Sequence, residues 1–280
     1  MQGLKSFIPT ARKIEYLNQL LQVGFHTIDA GSFVSPRAVP QMADTREVLS
    51  EVSKGDGGTK LLVIVANERG ARDAARVDSV DFVGFPLSVS ETFQKLNTNK
   101  SIVDALNELE AIDTIVKGSG KQTVVYLSMA FGNPYGDAYD KDLVRRFVDI
   151  LVTMGFEIIS VADTVGAASP GWVGDLLSSL VTEWPQIEFG AHLHGTPSLA
   201  SALVDAALGS GVKRMDGALL GFGGCPMAKD DLVGNIGTEV IVDRMSRLGM
   251  PAGIDRLAFD RALRMASEIF PRIENITPGN

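Results

Sequence analysis

Apolar positions along this chain follow two alternating rhythms. Short runs rich in β-branched and aromatic residues, HTIDAGSF (26–33), KLLVIVA (60–66), VDFVGFPL (80–87), QTVVYLSMAF (122–131), EIISVAD (157–163), IEFGAHLH (187–194) and KRMDGALL (213–220), read as seven strands. Between them apolar residues return every three or four positions, the spacing of a helix with one buried face. Before the first strand, Ile14, Leu17, Leu20 and Leu21 already fall at helical spacing, with Thr10 as the expected N-cap and Gly24 closing the run. Ser169-Pro170 and Thr196-Pro197 each set a capping hydroxyl ahead of a proline suited to the first helical turn, and Thr238-Glu239 begins another helix. The stretch IDRLAFDRALRMASEIF predicts an amphipathic helix outside the repeat, in a C-terminal extension over 252–275.

Repeated strand-helix units imply a parallel sheet with helices outside. A closed barrel of such units has about eight strands. The pattern therefore predicts an α/β fold, a (β/α)8 TIM barrel, as a single domain over 1–280 with its first strand missing from this chain. The competing architecture, an open doubly wound sheet, finds no GxGxxG turn or Walker loop to support it. With 45% hydrophobic and 21% charged residues, 280 residues can bury one large core. A net charge of -8 argues against a nucleic-acid partner held by charge alone and against polybasic membrane attachment. The single cysteine, Cys225, allows no intramolecular disulfide. With no signal-peptide core or apolar run of transmembrane length, a cytoplasmic location is the expectation.

Barrel chemistry sits at the C-terminal ends of strands, so polar residues there are the candidates. His192 and His194, in GAHLHGTP, are two apart and so share a face, where they could bind one metal or stand as hydrogen-bonded core histidines. Asp29 ends HTIDAGSF and Asp163 ends ISVADTVG, which places two carboxylates on the same rim; each singly could instead cap a helix or satisfy loop amides. Imidazole and oxygen ligands with vacant positions suit Mg²⁺ or Mn²⁺ and a chelating oxygen substrate. In GFGGCPMAKDDLVGN, glycines 221, 223 and 224 predict a mobile loop from which Cys225 can approach a ligand, with Asn235 beyond it. Lys95 and Lys100 lie in a loop of that rim and suit a phosphate or plain solvent equally. His26 falls on the opposite rim, and Arg12 and Lys13 read as solvated surface.

SFVSPRAVPQMAD (32–44), SETFQKLNTNKS (90–101), SMAFGNPYG (128–136), DTVGAASPG (163–171), HLH (192–194) and GFGGCP (221–226) stand in an order that resembles the 3-hydroxy-3-methylglutaryl-CoA lyase family almost end to end. That family of metal-dependent barrels cleaves its thioester to acetoacetate and acetyl-CoA. The resemblance implies a divalent metal, Mg²⁺ or Mn²⁺, held by His192, His194 and Asn235, with Cys225 as catalytic thiol, Asp163 in the substrate site, where it or a nearby histidine moves the hydroxyl proton, and Asp29 as a further catalytic carboxylate where the family has Glu. It also implies a small-molecule acyl-CoA substrate, a homodimer and a use in leucine breakdown. Family members open with a strand ending in Arg-Asp-Gly-x-Gln; Gln2 matches the Gln, so the Arg and a further metal-ligating Asp are expected upstream of Met1. Three departures stand out: Gly195-Thr196-Pro197 replaces Asp-Thr-Tyr, Asn133 replaces a cysteine, and one extra residue separates Cys225 from Asn235. The alternatives are a related metallolyase or synthase acting on another acyl-CoA or 2-oxo acid, and a noncatalytic truncated barrel.

Overall fold

The computed structural model describes residues 1, 4, 6–55, 57–223, 234–250 and 252–270. Every expected strand forms: β1 (Thr27–Ser32), β2 (Lys60–Ile64), β3 (Phe82–Ser88), β4 (Gln122–Ser128), β5 (Ile158–Ala162), β6 (Glu188–His192) and β7 (Arg214–Asp216). They make one parallel sheet in the order β1-β2-β3-β4-β5-β6-β7. Helices α1 (Thr10–Leu21), α2 (Thr45–Glu51), α3 (Glu68–Ala75), α4 (Glu91–Thr98), α5 (Ile102–Gly118), α6 (Lys141–Thr153), α7 (Pro170–Glu183), α8 (Pro197–Gly209), α9 (Thr238–Arg247) and α10 (Arg256–Ile269) precede, connect and follow the strands. Parallel neighbours joined through helices are the βα repeat that the alternating rhythms anticipate.

The sheet curls into a barrel left open between its edge strands. Arg214 of β7 reaches across this opening and donates to Thr27 Oγ1 of β1 at 3.1 Å, while pairing with Glu188 of β6 at 2.8 Å. Its guanidinium also lies 5.1 Å from the Phe82 ring centroid. Leu62, Phe82, Val124 and Ile158 pack together as one compact layer, while Leu61, Val63, Val83, Val125, Leu127, Ile159 and Val161 belong to the larger core packed with the helices. Alternate residues of each strand thus serve opposite faces, both buried. Helix α10 packs on α1 through Phe259, Ala262 and Ala266, with Phe270 edge-on to Tyr16 at 5.7 Å. The terminal amphipathic helix therefore covers the first helix.

Three local expectations change. Thr196 holds the N-cap position of α8, but its hydroxyl makes no cap bond and instead pairs with Ser198 Oγ at 2.9 Å. Thr10 does not cap α1: Pro9 holds the N-cap position, and the Thr10 hydroxyl donates to Asp44 Oδ2 at 2.8 Å. Lys13 is buried rather than solvated, 3% exposed, with Nζ 2.7 Å from Asp44 Oδ1 and a further bond to the Gln41 carbonyl. The segment between β1 and α2 folds over the first turns of α1, and an ammonium so enclosed must be paired. Among the described residues no helix is long and apolar enough to cross a membrane.

Candidate active site

At the C-terminal rim, β6 ends at His192 and the chain runs on to His194, which forms an isolated antiparallel bridge with Asn235. Ile236 N donates to Leu193 O and Asn235 N to Gly223 O, each at 3.3 Å, so the segment leading into α9 folds back beside the end of β6. Directly opposed residues of such a bridge lie side by side. The tertiary fold thereby sets Asn235 next to His194. The imidazoles of His192 and His194 approach with centroids 5.3 Å apart.

Each ring is fixed through Nδ1. His194 Nδ1 lies 2.6 Å from the Asp163 carbonyl oxygen, and a carbonyl can only accept, so Nδ1 carries the proton and Nε2 the lone pair. His192 Nδ1 faces Asp216 Oδ2 at 3.1 Å, and Ser160 Oγ donates to the same oxygen at 3.3 Å. Tyr126 packs edge-on to His192, centroids 5.8 Å apart. An imidazole held at one nitrogen by a carboxylate or carbonyl presents the other as a metal ligand. Asn235 spends its amide nitrogen on the Phe222 carbonyl at 3.2 Å, which leaves the carboxamide oxygen as the donor atom. Gly221 and Gly223 have φ of 63° and 101°, and Cβ atoms there would come within 2.9 Å of the Asn235 carbonyl and 3.1 Å of its Nδ2. These two glycines let the backbone close around Asn235.

With that site in place, the comparison with known proteins is decisive: the HMGL-like profile matches residues 1–265. The chain belongs to the HMGL-like family. It is similar to the cytoplasmic 3-hydroxy-3-methylglutaryl-CoA lyase of Rattus norvegicus, at 34% identity over 91% of this chain and 74% of that one. Among solved structures it resembles an HMG-CoA lyase from Acinetobacter baumannii in complex with coenzyme A and 3-methylmalate, with a TM-score of 0.88 and 28% identity over 100% of this chain and 94% of the other. The HMG-CoA lyase of Brucella melitensis aligns with a TM-score of 0.88 and 30% identity, covering 95% and 93% of the two chains.

In this HMGL-like chain Asp163 enters the site by its backbone. Its side chain is turned into its own loop, where Oδ1 accepts from Ala167 N at 2.9 Å and Oδ2 from Ala168 N at 3.0 Å. Burial raises its carboxyl above the ordinary range in spite of those amides. Asp29 keeps solvent access, yet the protein crowded around its carboxyl pushes it up to about 6, against the pull of the Gly31 amide 3.4 Å away. Its charge is felt by His192 and Asp216, so it belongs to the same mouth. Burial opposes a charge on His192, but the hydrogen bond and charge of Asp216, together with the charges of Asp29 and Asp163, outweigh it and raise the ring above its usual range.

The strand-end rule that singled out Asp29 and Asp163 applies equally to Asp216, last residue of β7, which the sequence reading passed over. Tyr126 and Ser160 sit inside apolar runs, where nothing separates them from core residues. Cys225 and Gln2 lie outside the described residues. Lys95 lies within α4 rather than in a loop and pairs with Glu91 one turn earlier at 3.0 Å, and Lys100 pairs with Glu108 at 2.5 Å. Among the described residues no three His, Cys, Asp or Glu converge as a cation site; the residues brought side by side are two imidazoles and a carboxamide, donor types that suit a divalent cation.

Burial, reinforced by the neighbouring His192, lowers His194 from 6.5 to about 4. In the metal-free protein the unfolded chain therefore protonates this ring first, so its contribution to stability is complete above pH 6.5 and is lost as pH falls towards about 4. A depression of that size corresponds to about 3 kcal/mol. Urea unfolding at about pH 7 and about pH 4.5 should show wild type losing about 2–3 kcal/mol more than His194→Gln between the two. Asp29, whose raised pKa acts in the opposite sense, cancels in that difference.

Proposed function

We propose that the chain is a divalent-metal-dependent lyase that cleaves 3-hydroxy-3-methylglutaryl-CoA into acetoacetate and acetyl-CoA. The observation that carries this reading is the pairing of His192 and His194, each held at Nδ1 by an acceptor oxygen, with Asn235 bridged alongside at the mouth of an HMGL-like barrel. His192 Nε2, His194 Nε2 and the Asn235 oxygen would hold Mg²⁺ or Mn²⁺. Once bound, such an ion lowers the pKa of the tertiary hydroxyl and orients the hydroxyl and carboxylate oxygens.

The remaining steps fall to side chains. Asp29, open to the mouth with its carboxyl pKa raised to about 6, is assigned the proton of the tertiary hydroxyl. The alkoxide electrons form the ketone of acetoacetate as the carbon-carbon bond breaks, and that bond's electron pair becomes the enolate of acetyl-CoA, which takes a proton at carbon from the Cys225 thiol; the thiolate is then reprotonated from solvent as Asp29 gives up the hydroxyl proton. Asp163 shapes the loop between β5 and α7 and anchors His194 through its carbonyl. Cys225 is retained as the catalytic thiol that closes over the enolate.

Incubation with 3-hydroxy-3-methylglutaryl-CoA and Mg²⁺ or Mn²⁺ should release acetoacetate and acetyl-CoA, with turnover lost in EDTA. Cys225→Ser should lower kcat by about a hundredfold or more. Cleavage only of a different acyl-CoA or 2-oxo acid would point to the related metallolyase, and metal binding without any turnover to a noncatalytic barrel.

A further inference from the structure

The strand that carries Asp216 has little backbone to hold it. β7 is three residues long, stands at the edge of the sheet and pairs with β6 alone among the described strands. A short edge strand opens at lower cost than the strands inside the sheet. Yet Asp216, its last residue, is the group that fixes His192 at Nδ1. The side chain placed to hold β7 is Arg214, two residues earlier on the same face.

Arg214 is 7% exposed, and its planar fork is fully engaged. Nη1 donates to Glu188 of β6 at 2.8 Å and Nη2 to Thr27 of β1 at 3.1 Å, with the guanidinium over the Phe82 ring of β3. Gly190, its register partner on β6, makes room for the arm: a Cβ there would stand 3.1 Å from Arg214 Cδ and 3.2 Å from both Arg214 Cγ and Ser160 Oγ. This tie lies one step below the mouth on each strand it joins. Along the same faces Thr27 leads to Asp29, Arg214 to Asp216, and Glu188 by way of Gly190 to His192. Ser160, which donates to Asp216, borders the space that Gly190 leaves. Resting on the lyase reading above, we propose that Arg214 is a positioning residue for this site: by tying β7 to β6 and, across the opening of the barrel, to β1, it holds the Asp216 carboxylate against His192 with Asp29 facing them.

The test reads the imidazoles directly. In proton–nitrogen correlation spectra of the metal-free protein at neutral pH, His192 and His194 should each show an exchange-protected Nδ1–H, given their acceptors. Arg214→Met keeps the length of the arm and leaves the half-exposed Glu188 to solvent; it should lose the His192 signal and keep that of His194. It should also weaken Mn²⁺ binding by about tenfold and lower kcat more than it changes KM. Thr27→Val takes away the acceptor on β1 while leaving the Glu188 pair, and should move the same readouts in the same direction. Combined with Arg214→Met it should add little, because both changes break one bond. Arg214→Lys should restore only part of the Mn²⁺ affinity, since one ammonium cannot serve Glu188 and Thr27 as a fork does. A lower melting temperature in Arg214→Met and Thr27→Val, with the His192 signal and Mn²⁺ affinity both unchanged, would overturn the proposal and leave the lyase reading standing. Loss of the His192 signal in these variants, in a protein whose wild type neither binds Mn²⁺ nor cleaves the thioester, would uphold the tie and strike the lyase reading instead.

Discussion

His194→Ala should abolish measurable binding of Mn²⁺ and lower lyase turnover by about a thousandfold or more. The ring is 4% exposed, and its Nδ1 is committed to the Asp163 carbonyl, so the substitution removes the nitrogen that the site presents and no neighbouring group can swing in to replace it. It also strands that carbonyl, at a cost of about 1–3 kcal/mol, so folding should be checked by thermal denaturation alongside. Binding is read by titrating Mn²⁺ against the protein and following free ion by electron paramagnetic resonance. Wild-type affinity in a folded His194→Ala protein would remove this residue from the ligand set. The assignment of Asn235 depends on the same outcome, because the bridge to His194 is what places it there.

Asp163→Ala is expected to be the most destabilising single change at this rim. The residue is 1% exposed and accepts two backbone amides of its loop, at 2.9 and 3.0 Å. Bonds to a charged group contribute about 1.5–3 kcal/mol each, and part of that is already offset by burying the carboxylate, so a net loss of about 2–5 kcal/mol follows. The melting temperature should fall by about 4–15 °C, and activity should fall with it as the loop beside His194 loosens. Asp163→Asn keeps the shape but points an amide N–H at a backbone N–H, so it should also destabilise. If Asp163→Asn kept full stability and lost only turnover, the carboxylate would be acting on substrate, and Asp29 would lose its assigned role.

Much of the architecture is written locally. The seven strands, the helix that precedes them and the terminal amphipathic helix are set by periodicity, since a two-residue or 3.6-residue repeat of apolar side chains reports which face is buried whatever lies opposite. Ser169 followed by Pro170 marks the start of α7 for a similarly local reason, because the cap bond to Trp172 N spans three residues. His192 and His194 were recognisable as a pair from their spacing alone. Other features depend on residues far apart in sequence. Thr10 has the chemistry of a cap but finds Asp44, and Lys13 has the chemistry of a surface residue but is enclosed by the segment that follows β1. The short strand β7 brings Asp216 to His192, and the return segment brings Asn235 to His194. The carboxylate of Asp163 turns to amides four and five residues ahead while its carbonyl fixes an imidazole just beyond the end of the next strand. Sequence by itself determined which residues could ligate or titrate; the tertiary structure decided which atom each one presents, because a hydrogen-bonding group takes its role from the partner that packing brings within about 3 Å.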